Sequence, residues 1–89
     1  MKISQEKLKK ISEQILFFLY SQNPKSFFTA HIAKELARDE EFIKKLLFHL
    51  KKKGLLAEIK RNSSGKDYLR RSRWKLSSEA FASYHQNQK

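Results

Sequence analysis

The sequence predicts a small α+β domain, mainly helical with one β-hairpin, in the order helix, strand, helix, helix, strand, strand, helix. Three observations carry this. Three stretches repeat apolar residues at the 3.6-residue helical period and are parted by Pro24 and by an Arg38-Asp39 corner. Beyond Gly54 the pattern shortens to two strand-like runs around a polar tip that contains Gly65. The formal charge of +11 on 89 residues sits almost wholly between Lys44 and Lys75.

Ser4 to Tyr20 reads as the first helix. Leu8, Ile11, Ile15, Phe18 and Leu19 share one stripe, and Ser4 is a suitable N-cap. Leu16, Phe17 and Tyr20 fall off that stripe, so the helix end needs cover from a further element. Asn23-Pro24 breaks the helix, because the residue before proline is steered away from helical backbone. Ser26-Phe27-Phe28 suits a short extended segment, and Thr29 an N-cap for a second helix over Ala30 to Ala37, with Ile32, Ala33 and Leu36 inward. Asp39 caps a third helix from Glu40 to Lys53, where Glu40 and Glu41 favour the positive first turn. Its inner stripe is Ile43, Leu46, Leu47 and Leu50. Lys51, Lys52 and Lys53 meet the negative helix end, and Gly54 supplies the left-handed cap.

Leu55 to Arg61 and Tyr68 to Leu76 then pair as a hairpin with a basic tip. Ser77 or Ser78 caps a last helix, Glu79 to about His85, showing Ala80, Phe81 and Tyr84. No repeat or second domain is visible: residues 1–85 read as one domain and 86–89 as a fraying tail.

Composition narrows the function. Without cysteine, disulfide scaffolds, thiol catalysis and Cys-based zinc sites are excluded. His31, His49 and His85 lie too far apart for a zinc site, so no metal or cofactor is expected. There is no phosphate loop, nucleophile elbow or apolar carboxylate pair, which argues against an enzyme and leaves no small-molecule substrate evident. No apolar run approaches ~18 residues, and the first residues lack a signal-peptide stretch. The expected setting is therefore cytoplasmic (nucleoid-associated) or nuclear, away from membranes. Between Lys44 and Lys75 twelve bases face only Glu58 and Asp67, a net +10, while the other 57 residues carry +1. That division separates a scaffold from a surface suited to a polyanion.

The element order, with Thr29-Ala30-His31-Ile32-Ala33-Lys34-Glu35-Leu36-Ala37, Ile43-x3-Leu47-x2-Leu50-x3-Gly54-Leu55-Leu56 and Arg73-Trp74-Lys75-Leu76-Ser77, resembles the winged helix-turn-helix superfamily of DNA-binding domains over residues 8–85. The resemblance implies a third helix in the major groove and a wing on the backbone or minor groove of double-stranded DNA. Its helical wheel turns Glu41, Lys45, Phe48 and Lys52 outward, flanked by Lys44 and His49, and the wing adds Arg61, Lys66, Arg70, Arg71 and Arg73. The resemblance also implies a homodimer through the first and last helices. The alternative is that the last helix covers the first within one chain.

Glu40 and Glu41 sit awkwardly at the start of a DNA-reading helix, though capping explains them. Phe48 has two readings: packed under the wing by a rotated helix, or exposed to a base, sugar or protein partner. A narrower likeness, to winged helices that bind left-handed nucleic acid, would use Lys44, Phe48 and Trp74. Phe stands for the usual Tyr there and Lys for Asn, the wing is longer and its prolines are missing, so Trp74 is expected in the core or packed against the wing instead. A regulator or chromatin-type protein is thus expected. A protein-interaction module of a larger assembly, or RNA binding through the wing, stand as alternatives.

Overall fold

A computed structural model describes residues 4–60 and 72–86. Helix α1 spans Gln5–Gln22, strand β1 Phe27–Phe28, α2 Thr29–Glu35, α3 Glu40–Lys52, β2 Leu56–Ile59, β3 Arg73–Leu76 and α4 Ser78–Gln86. The expected order holds throughout. The wing tip between β2 and β3, with Arg61, Lys66, Arg70 and Arg71, lies outside the described residues, as do residues 87–89.

The caps explain the boundaries. Ser4 accepts a hydrogen bond from the Lys7 amide at 3.2 Å, and Asp39 Oδ2 accepts from the Phe42 amide at 3.1 Å, each satisfying a donor that a helix start leaves open. Helix α3 ends at Gly54 with φ +78°, where the Gly54 and Leu55 amides donate back to the Lys51 and Leu50 carbonyls. The first helix runs two residues past Tyr20, to Gln22, before the Asn23-Pro24 break. Ser77, rather than Ser78, caps α4: its hydroxyl accepts from the Ala80 amide and donates to the Gly54 carbonyl at 2.8 Å, so one side chain joins the end of α3 to the start of α4.

Two expectations for α2 need correction. Thr29 is not its cap. It is the first helical residue, with Phe28 in the cap position and no side chain capping the helix. The helix also stops at Glu35 instead of reaching Ala37. Ala37 takes φ +54°, and the Ala37 and Arg38 amides donate to the Lys34 and Ala33 carbonyls. This is the same closing geometry as at Gly54, reached by a residue that disfavours it.

The sheet has three antiparallel strands in the order β1-β3-β2, with Phe27 opposite Trp74 and Glu58 opposite Trp74 on the other side. The core is drawn from every element except β1 and α4: Ile11, Ile15 and Leu19 of α1, Ile32 and Ala33 of α2, the Ile43-Leu46-Leu47-Leu50 stripe, and Leu56, Trp74 and Leu76 of the strands. At roughly 1.5–3 kcal/mol per fully buried large apolar side chain, this cluster dominates the favourable side of folding.

Tyr20 settles one open question about α1. It packs on Phe81 and Tyr84, the latter with ring centroids 4.6 Å apart, and its hydroxyl lies 3.1 Å from His85 Nδ1. Helix α4 therefore covers part of the off-stripe surface within one chain. Phe17 stays 55% exposed.

Candidate nucleic-acid interface

Because Ile43, Leu46, Leu47 and Leu50 are buried, the 100° step of the helix fixes what α3 shows outward. Lys44, Lys45, Phe48, His49 and Lys52 are all exposed, together with Glu40 and Glu41 in the first turn. The structure thus brings five of the ten expected contact residues onto one helix. Arg73 lies at the base of the wing rather than near its tip. It is half-buried, with its guanidinium carbon 4.8 Å from the centre of the Phe28 ring. The remaining four, Arg61, Lys66, Arg70 and Arg71, lie outside the described residues.

Phe48 packs against the wing and still stays partly exposed. It meets Trp74 edge-on, with centroids 5.3 Å apart and planes at 87°, yet keeps 40% of its surface exposed. Trp74 itself is a core residue, 1% exposed, and its indole N–H donates to the Thr29 hydroxyl.

Sequence reasoning missed the role of Glu58. Its carboxylate, only 3% exposed, accepts from Lys51 Nζ at 2.6 Å through Oε1 and from the Ser72 hydroxyl through Oε2. Burial pushes this carboxyl up. The Lys51 and Ser72 hydrogen bonds and the charges of Lys51 and Lys60 outweigh that and hold it below its ordinary value. Lys51, still 44% exposed, is consequently engaged in an ion pair within the chain, although it belongs to the run Lys51-Lys52-Lys53. The available signal was a lone acid on a strand within an otherwise basic stretch.

Beside this face, a groove of about 540 Å³ runs between α1 and α3. Leu8, Leu46 and Leu50 line it, with Lys9, His49 and Lys53 among its polar residues.

Solved structures share this fold. MepR of S. aureus in a DNA-binding conformation superposes with a TM-score of 0.70 at 21% identity, over 91% of this chain and 60% of its own. The chain is a winged helix-turn-helix domain. A ZitR variant of Lactococcus lactis matches this winged helix with a TM-score of 0.69 at 23% identity, over 98% of the chain and 55% of ZitR. A MepR variant bound to an oligodeoxyribonucleotide matches at 0.66 and 24%, over 93% of the chain and 63% of its own. The winged helix spans between 50% and 63% of the length of such neighbours. No protein-family model matches the sequence, and no curated protein is significantly similar to it.

Proposed function

We propose that this winged helix binds double-stranded DNA as a regulator or nucleoid-type protein, with α3 in the major groove and the basic wing on the adjacent backbone or minor groove. The observation that carries the reading is the exposed face of α3. Lys45, Phe48 and Lys52 face away from the buried stripe, flanked by Lys44 and His49, on the helix that leads into the wing. Three ammonium groups on one face suit phosphates or guanine edges. Neighbours described as DNA-binding or oligodeoxyribonucleotide-bound support the same use of the fold. They come from bacteria, which favours a cytoplasmic over a nuclear setting.

Fluorescence anisotropy with duplex DNA, single strands and duplex RNA over a salt series tests the reading. If about five cations engage phosphates, duplex affinity falls with a log-log salt slope of roughly −4 to −5. Absence of duplex binding at ~100 mM salt overturns the reading, and preference for duplex RNA replaces it with the RNA alternative.

A further inference from the structure

Two side chains on one face of the hairpin meet two on one face of α3. Glu58 of β2 and Trp74 of β3 are direct cross-strand partners, so both point to the same side of the sheet. Phe48 and Lys51 are three residues apart, so they are neighbours on the helix surface. The contacts pair across: Trp74 meets Phe48 at a near-perpendicular ring angle, and Glu58 takes the ammonium of Lys51. The second oxygen of Glu58 receives the Ser72 hydroxyl, one residue before β3 begins, so a single carboxylate joins α3, β2 and the entry to β3. Lys51 Nζ also lies 5.9 Å from the centre of the Phe48 ring, which closes the cluster on itself.

The joint has an unusual electrostatic setting. The carboxylate stands in the most basic part of the chain, beneath the face offered to DNA, where a negative charge opposes binding. Solubility does not call for a buried acid at that place, and the hairpin ladder does not need one. What the carboxylate does is bridge three segments by hydrogen bonds, with a direction that the apolar Phe48–Trp74 contact beside it lacks.

We infer that Glu58 is a positioning residue for DNA binding, holding the wing at a fixed angle to α3 through Lys51 and Ser72. This rests on the proposed DNA reading. A wing held in register with the helix engages the duplex as part of one rigid surface. A wing free to pivot loses that preorganisation and must be ordered on binding.

The sign of one substitution separates positioning from simple charge. Glu58→Gln removes a negative charge near a polyanion, so a purely electrostatic role makes binding tighter. The positioning role makes it weaker, by about three- to tenfold, with a salt slope shallower by about 1 to 2 as wing contacts are lost. Ser72→Ala changes no charge and is expected to weaken binding in the same direction, while Glu58→Asp is expected to recover less than the wild-type value because it is one methylene short. Anisotropy titrations of the full chain with duplex DNA at several salt concentrations read all of these, with thermal unfolding confirming that each variant is folded at the titration temperature. Tighter or unchanged binding by Glu58→Gln, or wild-type binding and slope for Ser72→Ala, overturns the positioning role alone. Failure of the wild-type chain to bind any duplex overturns the DNA reading and the positioning role together.

Discussion

The Trp74 indole N–H donates to the Thr29 hydroxyl at 2.9 Å, tying the central strand of the sheet to the first residue of α2 across 45 positions of sequence. Trp74 is 1% exposed, so water cannot replace this partner without opening the core. Thr29→Val keeps the shape and removes the acceptor. The unpaired indole is expected to cost about 1–3 kcal/mol, with a fall in Tm of about 4–8 °C per kcal/mol for a domain of this size. Thr29→Ser retains the oxygen and is expected to stay closer to the wild type. Equal melting of the Val and Ser variants would mean that the bond contributes nothing.

The two left-handed helix ends give substitutions of opposite sign. Ala37 holds φ +54°, where a Cβ is unfavourable, so Ala37→Gly is expected to stabilise by about 1 kcal/mol. Gly54 holds φ +78° with nothing within 4 Å of an added Cβ, so Gly54→Ala is expected to cost about 1 kcal/mol through the backbone alone. Chemical denaturation of both variants checks the pair. A stabilised Gly54→Ala or a destabilised Ala37→Gly contradicts the backbone account.

Why the second helix was misread while the third was read correctly follows from the range of the determining contacts. Asp39 and Gly54 act on backbone groups within a few residues, so their identity announces the ends of α3. Ala37 carries no such mark, because alanine rarely takes the left-handed conformation. Thr29 has the chemistry of a cap, but its partner is Trp74, and no local pattern links the two. The exposed face of α3 was likewise legible, being the complement of an apolar stripe. The loss of Lys51 to Glu58 was not, because Lys51 fits the helix-end rule equally well and the strand that claims it arrives only after the turn.

The same ion pair sets an acid limb in stability. The Glu58 carboxyl is held below its ordinary value of 4.5 in the folded protein. Its contribution to stability is therefore fully present above that value and is lost as pH falls through the lower folded one. Urea unfolding measured from pH 7 down to about 3 is expected to show stability falling in this window, with a smaller fall in Glu58→Gln. If the variant and the wild type lose equal stability on acidification, Glu58 is not a source of the acid sensitivity.

Lys44 and Lys45 are exposed on the same side as Phe48, one turn before it. If they meet phosphates, the double substitution to Ala weakens duplex binding and makes the log-log salt slope shallower by about 2, since each phosphate contact contributes about 0.9. Lys10 is also exposed but lies on α1, so Lys10→Ala is expected to leave the slope near its wild-type value. Equal slopes for all three proteins would move the contact surface off α3.

Phe17 offers a test of the homodimer through α1 and α4 that the family resemblance implies. Tyr20, also off the inward stripe, is covered by Phe81 and Tyr84 of the same chain, and Leu16 is half-buried against the core. Phe17 alone of these three keeps a large exposed surface, at 55%. A charge there leaves the fold of one chain nearly untouched, with a stability change within about 0.5 kcal/mol, because the ring makes little internal packing. In a symmetric interface the same charge appears twice and faces its own copy. Sedimentation velocity is therefore expected to show a wild-type dimer that dissociates in Phe17→Lys, with an unchanged Tm once protein concentration is low enough for both to be monomeric. A wild-type chain that sediments as a monomer at all accessible concentrations, or a Phe17→Lys variant that remains dimeric, removes α1 from the interface.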